Sequence, residues 1–288
     1  ARSGTITVRA GDASAGPTGN IVLNQSGATL SVSGAKTVAA TASTDNTSTF
    51  TATSGLSWNV GIVSTDNWLS LKSSAGGTNN TTVAAQNITY DAVVNPNAST
   101  RTGTITVKVG NAVSGTDAGL TKTITVTQEA SSLTASGSTT TLAATKDVSG
   151  TLTFKGTSGL PFSVTNPDWL TLSGTTSGTT NGGDQTFVYK TNAVNLNSTE
   201  RTAANISVKA GNITKPVAIK QSGSTFSVSK TEIELENTVT SGSVTVKGTD
   251  GLPWTVSPSE QTNGITPATS SSTATGADQT LTFNATAN

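Results

Sequence analysis

The chain has 288 residues and 33% hydrophobic content, which suits two or three domains with several small cores rather than one large core. Histidine, cysteine and methionine are all absent, removing imidazole and thiolate nucleophiles, the usual transition-metal ligands and every disulfide. Sixteen basic and sixteen acidic side chains cancel and lie dispersed, and no apolar run approaches the roughly 18 residues of a spanning helix; the expectation is therefore no nucleic-acid partner, no membrane insertion, no metal and no cofactor.

In chain order, the first alternating run is Arg2-Ser-Gly-Thr-Ile-Thr-Val-Arg9, and a second runs from Asn20 to Gln25. A short run, Leu30-Ser-Val-Ser33, leads to Phe50-Thr-Ala-Thr-Ser-Gly-Leu-Ser-Trp-Asn-Val60. Asn67-Trp-Leu-Ser-Leu71 and Asn87-Ile-Thr-Tyr90 follow. The opening then returns as Arg101-Thr-Gly-Thr-Ile-Thr-Val-Lys108, with Lys122 to Gln128 after it. The same series repeats: Leu133-Thr-Ala-Ser136, Phe154 to Val164, Asp168-Trp-Leu-Thr-Leu172, Thr186-Phe-Val-Tyr189, Arg201 to Lys209, Lys215 to Gln221. A third series comprises Phe226-Ser-Val-Ser229, Val246-Lys-Gly-Thr-Asp-Gly-Leu-Pro-Trp-Thr-Val256 and Thr280-Leu-Thr-Phe283, with Gly264-Ile265 in place of the Trp-Leu step.

These runs alternate apolar and polar residues, are rich in Thr, Val and Ile, and are bounded by Gly, Asn, Ser and Pro clusters, the pattern of half-buried antiparallel strands. Six or seven per repeat predict an all-β chain of tandem immunoglobulin-like β-sandwich modules. Closing glutamines place the boundaries near Gln25, Gln128 and Gln221, with linkers of a residue or two. Residues 1–25 form the last two strands of a module, 26–128 and 129–221 are complete, and 222–288 lack the last two strands.

The Gly-Leu-Pro-Trp-x-Val step, the Asp-Trp-Leu step, the Asn-x-x-x-Arg loop before an Ile-x-Val strand and the terminal Gln together resemble BACON modules, Bacteroidetes-associated domains named for carbohydrate binding. The resemblance covers all three repeats. It implies an immunoglobulin-like sandwich, an extracellular, cell-surface or virion-surface address in gut-type bacteria or their phages, and glycans as partners. The Gly264-Ile265 step departs from the pattern.

Trp58, Phe162 and Trp254 share one strand position and are expected to be core. Trp68 and Trp169 follow a polar turn, where each ring caps the core or faces solvent as a sugar platform. Tyr90 and Tyr189 share a strand face with Ile88 and Phe187 and are expected to pack. Arg101 and Arg201 either grip a carboxylated sugar or hydrogen-bond loop carbonyls and fix the turn. Gln25, Gln128 and Gln221 are expected to satisfy linker backbone. Glu232-Ile-Glu234-Leu-Glu236 reads as a strand with its three carboxylates on one solvated face, not a hydrolase pair, and no enzyme is expected. Asn-x-Ser/Thr triplets at Asn46, Asn80, Asn87, Asn97 and Asn197 arise readily in so Asn- and Thr-rich a chain.

Two functions remain: a surface glycan-binding or adhesive module, and a purely structural stalk, filament or phage-fibre subunit. The ends bear on the choice. Arg2 aligns with Arg101 and Asn288 with Asn95, so each end carries part of a module. The pair missing from the last module would bury four aliphatic side chains, each worth roughly 1.5–3 kcal/mol, against a domain stability of about 5–15 kcal/mol. Either the chain is a window on a longer tandem protein, as its lack of Met also suggests, or copies complete one another head to tail.

Overall fold

The computed structural model describes residues 1–78, 85–110, 120–202, 205–257 and 264–286; Asn80 and Asn288 lie outside them. Two compact units, Ala1–Ser131 and Ser132–Asn288, divide the chain. Strands dominate, and a 3-10 turn spans Thr65–Asn67.

The first unit opens with β1 (Arg2–Arg9) and β2 (Thr18–Gln25), an antiparallel hairpin in which Arg2 faces Gln25 and Ile6 faces Ile21. Nine strands follow: β3 (Leu30–Val32), β4 (Lys36–Val38), β5 (Ser43–Ala52), β6 (Ser57–Ser64), β7 (Leu69–Leu71), β8 (Gly76–Thr78), β9 (Gln86–Ala92), β10 (Arg101–Val109) and β11 (Leu120–Gln128). They form sheets of order β3-β5-β9-β7 and β4-β11-β10-β6-β8. With β3, β5, β7 and β9 as A, B, D and E, and β6, β10 and β11 as C, F and G, this is the ABED and CFG division of an immunoglobulin-like sandwich. The inward residues of both sheets make one core, including Phe50, Ile88 and Tyr90 from the first and Val60, Ile105, Val107, Ile124 and Val126 from the second. Period-two alternation puts them there: in β10, Gly103, Ile105, Val107 and Val109 are buried and the residues between them are not.

The second unit repeats the plan with β12 (Leu133–Gly137), β13 (Thr141–Leu142), β14 (Ser149–Gly156), β15 (Pro161–Thr165), β16 (Leu170–Ser173), β17 (Ser177–Thr179), β18 (Asp184–Thr191), β19 (Asn205–Ala210), β20 (Ile213–Ala218) and β21 (Lys220–Gln221). Sheets β12-β14-β18-β16 and β17-β15-β19-β20 face each other, and β13 pairs parallel with β21. The unit continues with β22 (Phe226–Val228), β23 (Ser241–Gly248), β24 (Pro253–Thr255), β25 (Ile265–Pro267), β26 (Ser271–Thr273) and β27 (Gln279–Ala285). Here β22-β23-β27-β25 is a complete ABED sheet, and among the described residues the remaining pair is β24-β26. All-β, tandem immunoglobulin-like sandwich architecture is thus the fold.

Three expectations need correction. Linkers between a closing Gln and the next strand are four residues long, 26–29, 129–132 and 222–225; in the second of them Ser131 N donates to Asn97 O (2.9 Å) and Ser132 N to Thr157 Oγ1 (2.9 Å). Residues 232–236 form no strand. The matching segments β4 and β13 are strands because they pair with β11 and β21, and the described residues give 232–236 no such partner. Of the three expected core rings, only Phe162 is buried; Trp58 and Trp254 are half-buried and pack on the core from its edge. Trp58 sits over Gly77 of β8, where an added Cβ would lie 3.1 Å from the ring, and Phe162 likewise over Gly178.

Near the starts of β5 and β14, Asp45 (φ 57°) and Asp147 (φ 62°) adopt the left-handed conformation that Asp tolerates. They pair with Lys72 (2.8 Å) and Lys190 (3.0 Å). The Lys190 hydrogen bond holds the Asp147 carboxyl below its ordinary pKa, and the Asp45 bond raises that of Lys72. Asp147 therefore contributes stability above the ordinary carboxylate range, lost as pH falls through its lowered folded value. Lys72 contributes below the ordinary lysine range, lost as pH rises through its raised value. With no His in the chain, thermal melting should be flat between about pH 5 and 9; a step near pH 6–7 would contradict this ion-pair account.

Candidate functional site

Candidate ligand residues and the closing glutamines converge on one corner of each complete sandwich, where the loop after strand E meets the ends of F and G. In the first unit Asn95 is wholly buried. Its Nδ2 donates to Ser99 O and Glu129 O (2.8 Å each), and its Oδ1 accepts from Asn97 N (3.1 Å). Gln128, also wholly buried, donates from Nε2 to Val93 O (2.9 Å) and Ala39 O (3.1 Å). Its Oε1 accepts from Arg101 Nε at 2.7 Å, and Arg101 Nη2 donates to Val93 O and Val94 O (2.9 Å each). The guanidinium lies 4.9 Å over the ring of Trp68, within cation–π range. Burial lowers the Arg101 pKa, with Asp66 opposing.

The second unit rebuilds the corner from equivalent residues. Asn195 Nδ2 donates to Thr199 O (2.9 Å) and Ser222 O (3.0 Å), and Gln221 Nε2 donates to Ala144 O (2.9 Å) and Ala193 O (3.0 Å). Arg201 bridges Gln221 through its backbone and lies 5.7 Å over Trp169. Gln221 Oε1 has no hydrogen-bond partner among the described residues. Loop carbonyls carried into a sandwich end must find donors, and uncharged amides and a forked guanidinium supply them without an exposed strand.

This geometry decides between the alternatives for the candidate residues. Trp68 is 1% exposed, so of the two alternatives its ring takes the core one and is not a sugar platform, carried inward by the turn at Thr65–Asn67. Trp169 is half-buried with Arg201 over its ring. Arg101 spends Nε and Nη2 on Gln128 and two carbonyls, which is the turn-fixing role. Tyr90 and Tyr189 are buried. Asn46 donates to Ser43 Oγ and Tyr90 O rather than standing clear as a glycosylation acceptor. Asn95 and Asn195 were not singled out as site residues; their signal was a shared spacing, each six residues before its Arg.

Other concavities offer little chemistry. A groove of about 440 Å³ in the second unit is lined by small residues including Ala143, Ser222, Gly223 and Gly248, and its Lys247 pairs with Asp278 at 3.5 Å. Another, about 380 Å³, runs beside Phe162 and Phe187, both buried.

No family model matches the chain, and no curated protein does. Among solved structures it is similar to a protein of unknown function from Porphyromonas gingivalis, at 13% identity over 67% of this chain and 99% of that one, TM-score 0.26. It is also similar to the CsuC-CsuE chaperone–tip adhesion subunit pre-assembly complex of archaic chaperone-usher Csu pili from Acinetobacter baumannii, at 10% identity, covering 67% and 98%, TM-score 0.27. The I9-I11 tandem of titin matches at 8% identity over 90% of each chain, TM-score 0.30.

Replacing Asn95 or Gln128 by Ala strands buried carbonyls and should cost the first unit about 1–3 kcal/mol each. Trp68→Ala should cost about 3–5 kcal/mol and more than Trp58→Ala. Chemical denaturation measures both, and an unshifted midpoint for Trp68→Ala would refute its core role.

Proposed function

We propose that this chain is a non-enzymatic structural element of an extracytoplasmic surface, a series of sandwich modules that provides reach and assembly rather than sugar recognition. One observation carries the reading: the residues best suited to hold a ligand are committed to closing the fold. Arg101 and Gln128 hydrogen-bond to each other and to loop carbonyls, and Trp68 is buried beneath them. The second unit places Asn195, Gln221 and Arg201 at the same corner, with the two amides donating to loop carbonyls and Arg201 over a half-buried Trp169, as repetition for architecture requires and as a single binding site does not. Absence of His and Cys from the sequence and the solvated, non-converging Glu232, Glu234 and Glu236 support a non-catalytic role. The BACON resemblance belongs to this reading for its sandwich and its surface address, without the carbohydrate binding in the family's name.

Titration of the protein against a panel of mucin and plant glycans should give no saturable signal. Saturable binding that Trp169→Ala abolishes would overturn the proposal in favour of an adhesive module.

A further inference from the structure

Residues 222–225, which follow the closing Gln221, are bonded on both sides within the second unit. The loop between β18 and β19 holds one end: Asn195 Nδ2 donates to Ser222 O (3.0 Å), Ser224 N donates to Asn197 O (2.8 Å), and Ser224 Oγ donates to Asn195 O. The turn after β23 holds the other, where Thr225 N donates to Thr249 Oγ1 (2.9 Å) and Thr249 N donates back to Thr225 O (2.9 Å). Ser224 is buried although it lies in a linker. The linker backbone also packs flush against the loop, since a Cβ added at Gly223 would lie 2.1 Å from Ser198 O and 2.4 Å from Ser198 C. Only glycine permits so close an approach.

Ser224 is thus tied to the second sandwich and Thr225, the next residue, to the strands that follow it. The bonds to Thr249 continue the β22–β23 ladder by one residue, as those between Thr29 and Thr53 continue β3–β5 and those between Ser132 and Thr157 continue β12–β14. Inside the first unit, Ser131 makes the bonds of Ser224, from N to Asn97 O and from Oγ to Asn95 O. A second contact lies off the linker: a Cβ at Gly251, in the turn after β23, would come 3.8 Å from Val194 Cβ. Beside the linker runs the groove of about 440 Å³, with Ala144 and Thr145 on one wall and Lys247 and Thr249 on the other. Domains that touch over a small area move relative to one another by default, so here the restraint must come from the bonds.

We infer that the joint at residues 222–225 is locked, so that the second sandwich and the strands after it turn as one body. The inference rests on the structural reading above and supplies what that reading needs. Flexibly joined segments coil, and their span grows only as the square root of their number; stiff joints let span grow in proportion. Bending at the linker would have to break the Ser224 bonds to Asn195 and Asn197 or the Thr225–Thr249 pair. Rotation about the linker would separate Gly251 from Val194. Gly223 belongs to the lock rather than to a hinge, because its missing side chain is what lets the linker lie on Ser198.

Residual dipolar couplings of the full chain in a weakly aligning medium test the lock. Amides of β14, β18 and β19 and those of β23 and β27 should fit one alignment tensor. Ser224→Ala with Thr249→Val removes a side-chain donor and a side-chain acceptor from the joint, and Gly223→Ala forces the linker off Ser198. In either variant the couplings of β23 and β27 should fall to a separate tensor roughly twofold weaker, while β14, β18 and β19 keep their tensor and their chemical shifts. Two tensors in the unaltered chain, couplings near zero over β23 and β27, or a single tensor retained by both variants would each overturn the inference while leaving the structural reading intact. Saturable glycan binding would instead overturn the structural reading and leave the lock standing.

Discussion

The constraint on which the rest depends is closure of each sandwich by its last hairpin. Strands F and G supply the central and neighbouring strands of the second sheet, and in the first unit they bring Ile105, Val107, Val109, Ile124 and Val126 into the core. None of those side chains is covered by its own sheet; each needs the ABED face opposite. The Arg101–Gln128 bond fixes where the hairpin stops, and Asn95 fixes the loop that leads into it. Apolar burial provides the driving force and the buried amides provide the register, since a one-residue slip would turn the inward face to solvent and break both.

The chain contains its own comparison. Complete sandwiches bury Leu133, Leu142, Leu152, Phe154, Leu160 and Tyr189 to 3% or less, while the core of residues 222–286 reduces to Val244, Val246 and Leu281 with Trp254, Val256 and Phe283 half-covered. Equivalent strands A, B, D and E form in both cases, so local sequence and hairpin pairing suffice for one sheet. What they do not secure is depth, because a sheet buries its face only against a second layer. Glu232–Glu236 has the alternation of β4 and β13 but no parallel neighbour among the described residues.

Much of this was legible in the sequence. The recurrence of Arg-Thr-Gly-Thr-Ile-Thr-Val, the closing Gln and the Gly-Leu-Pro-Trp step gave strand order and faces, because period-two alternation reports the direction of a side chain. It does not report how deep that side chain lies. The depth of Trp58 was therefore misjudged, since it sits over Gly77 at the sheet margin, and that of Trp68 was left open until the turn at Thr65–Asn67 was seen to carry it inward. Asn95 and Asn195 were hidden for a related reason. In a chain this rich in Asn, nothing in the composition separates an amide that clips a loop from one in solvent, and only the three-dimensional convergence on Ser99 O and Glu129 O makes the difference. The four-residue linkers were misjudged because Ser131 and Ser132 look like loop polarity and act as clasps.

The central claim is that a module becomes a closed sandwich only when an F–G hairpin lies in it. Amide hydrogen exchange of the intact chain measures this strand by strand. Amides of β10, β11 and β14 should exchange slowly and those of β1, β2, β23 and β27 quickly. Exchange in β23 and β27 as slow as in β14 would contradict the account.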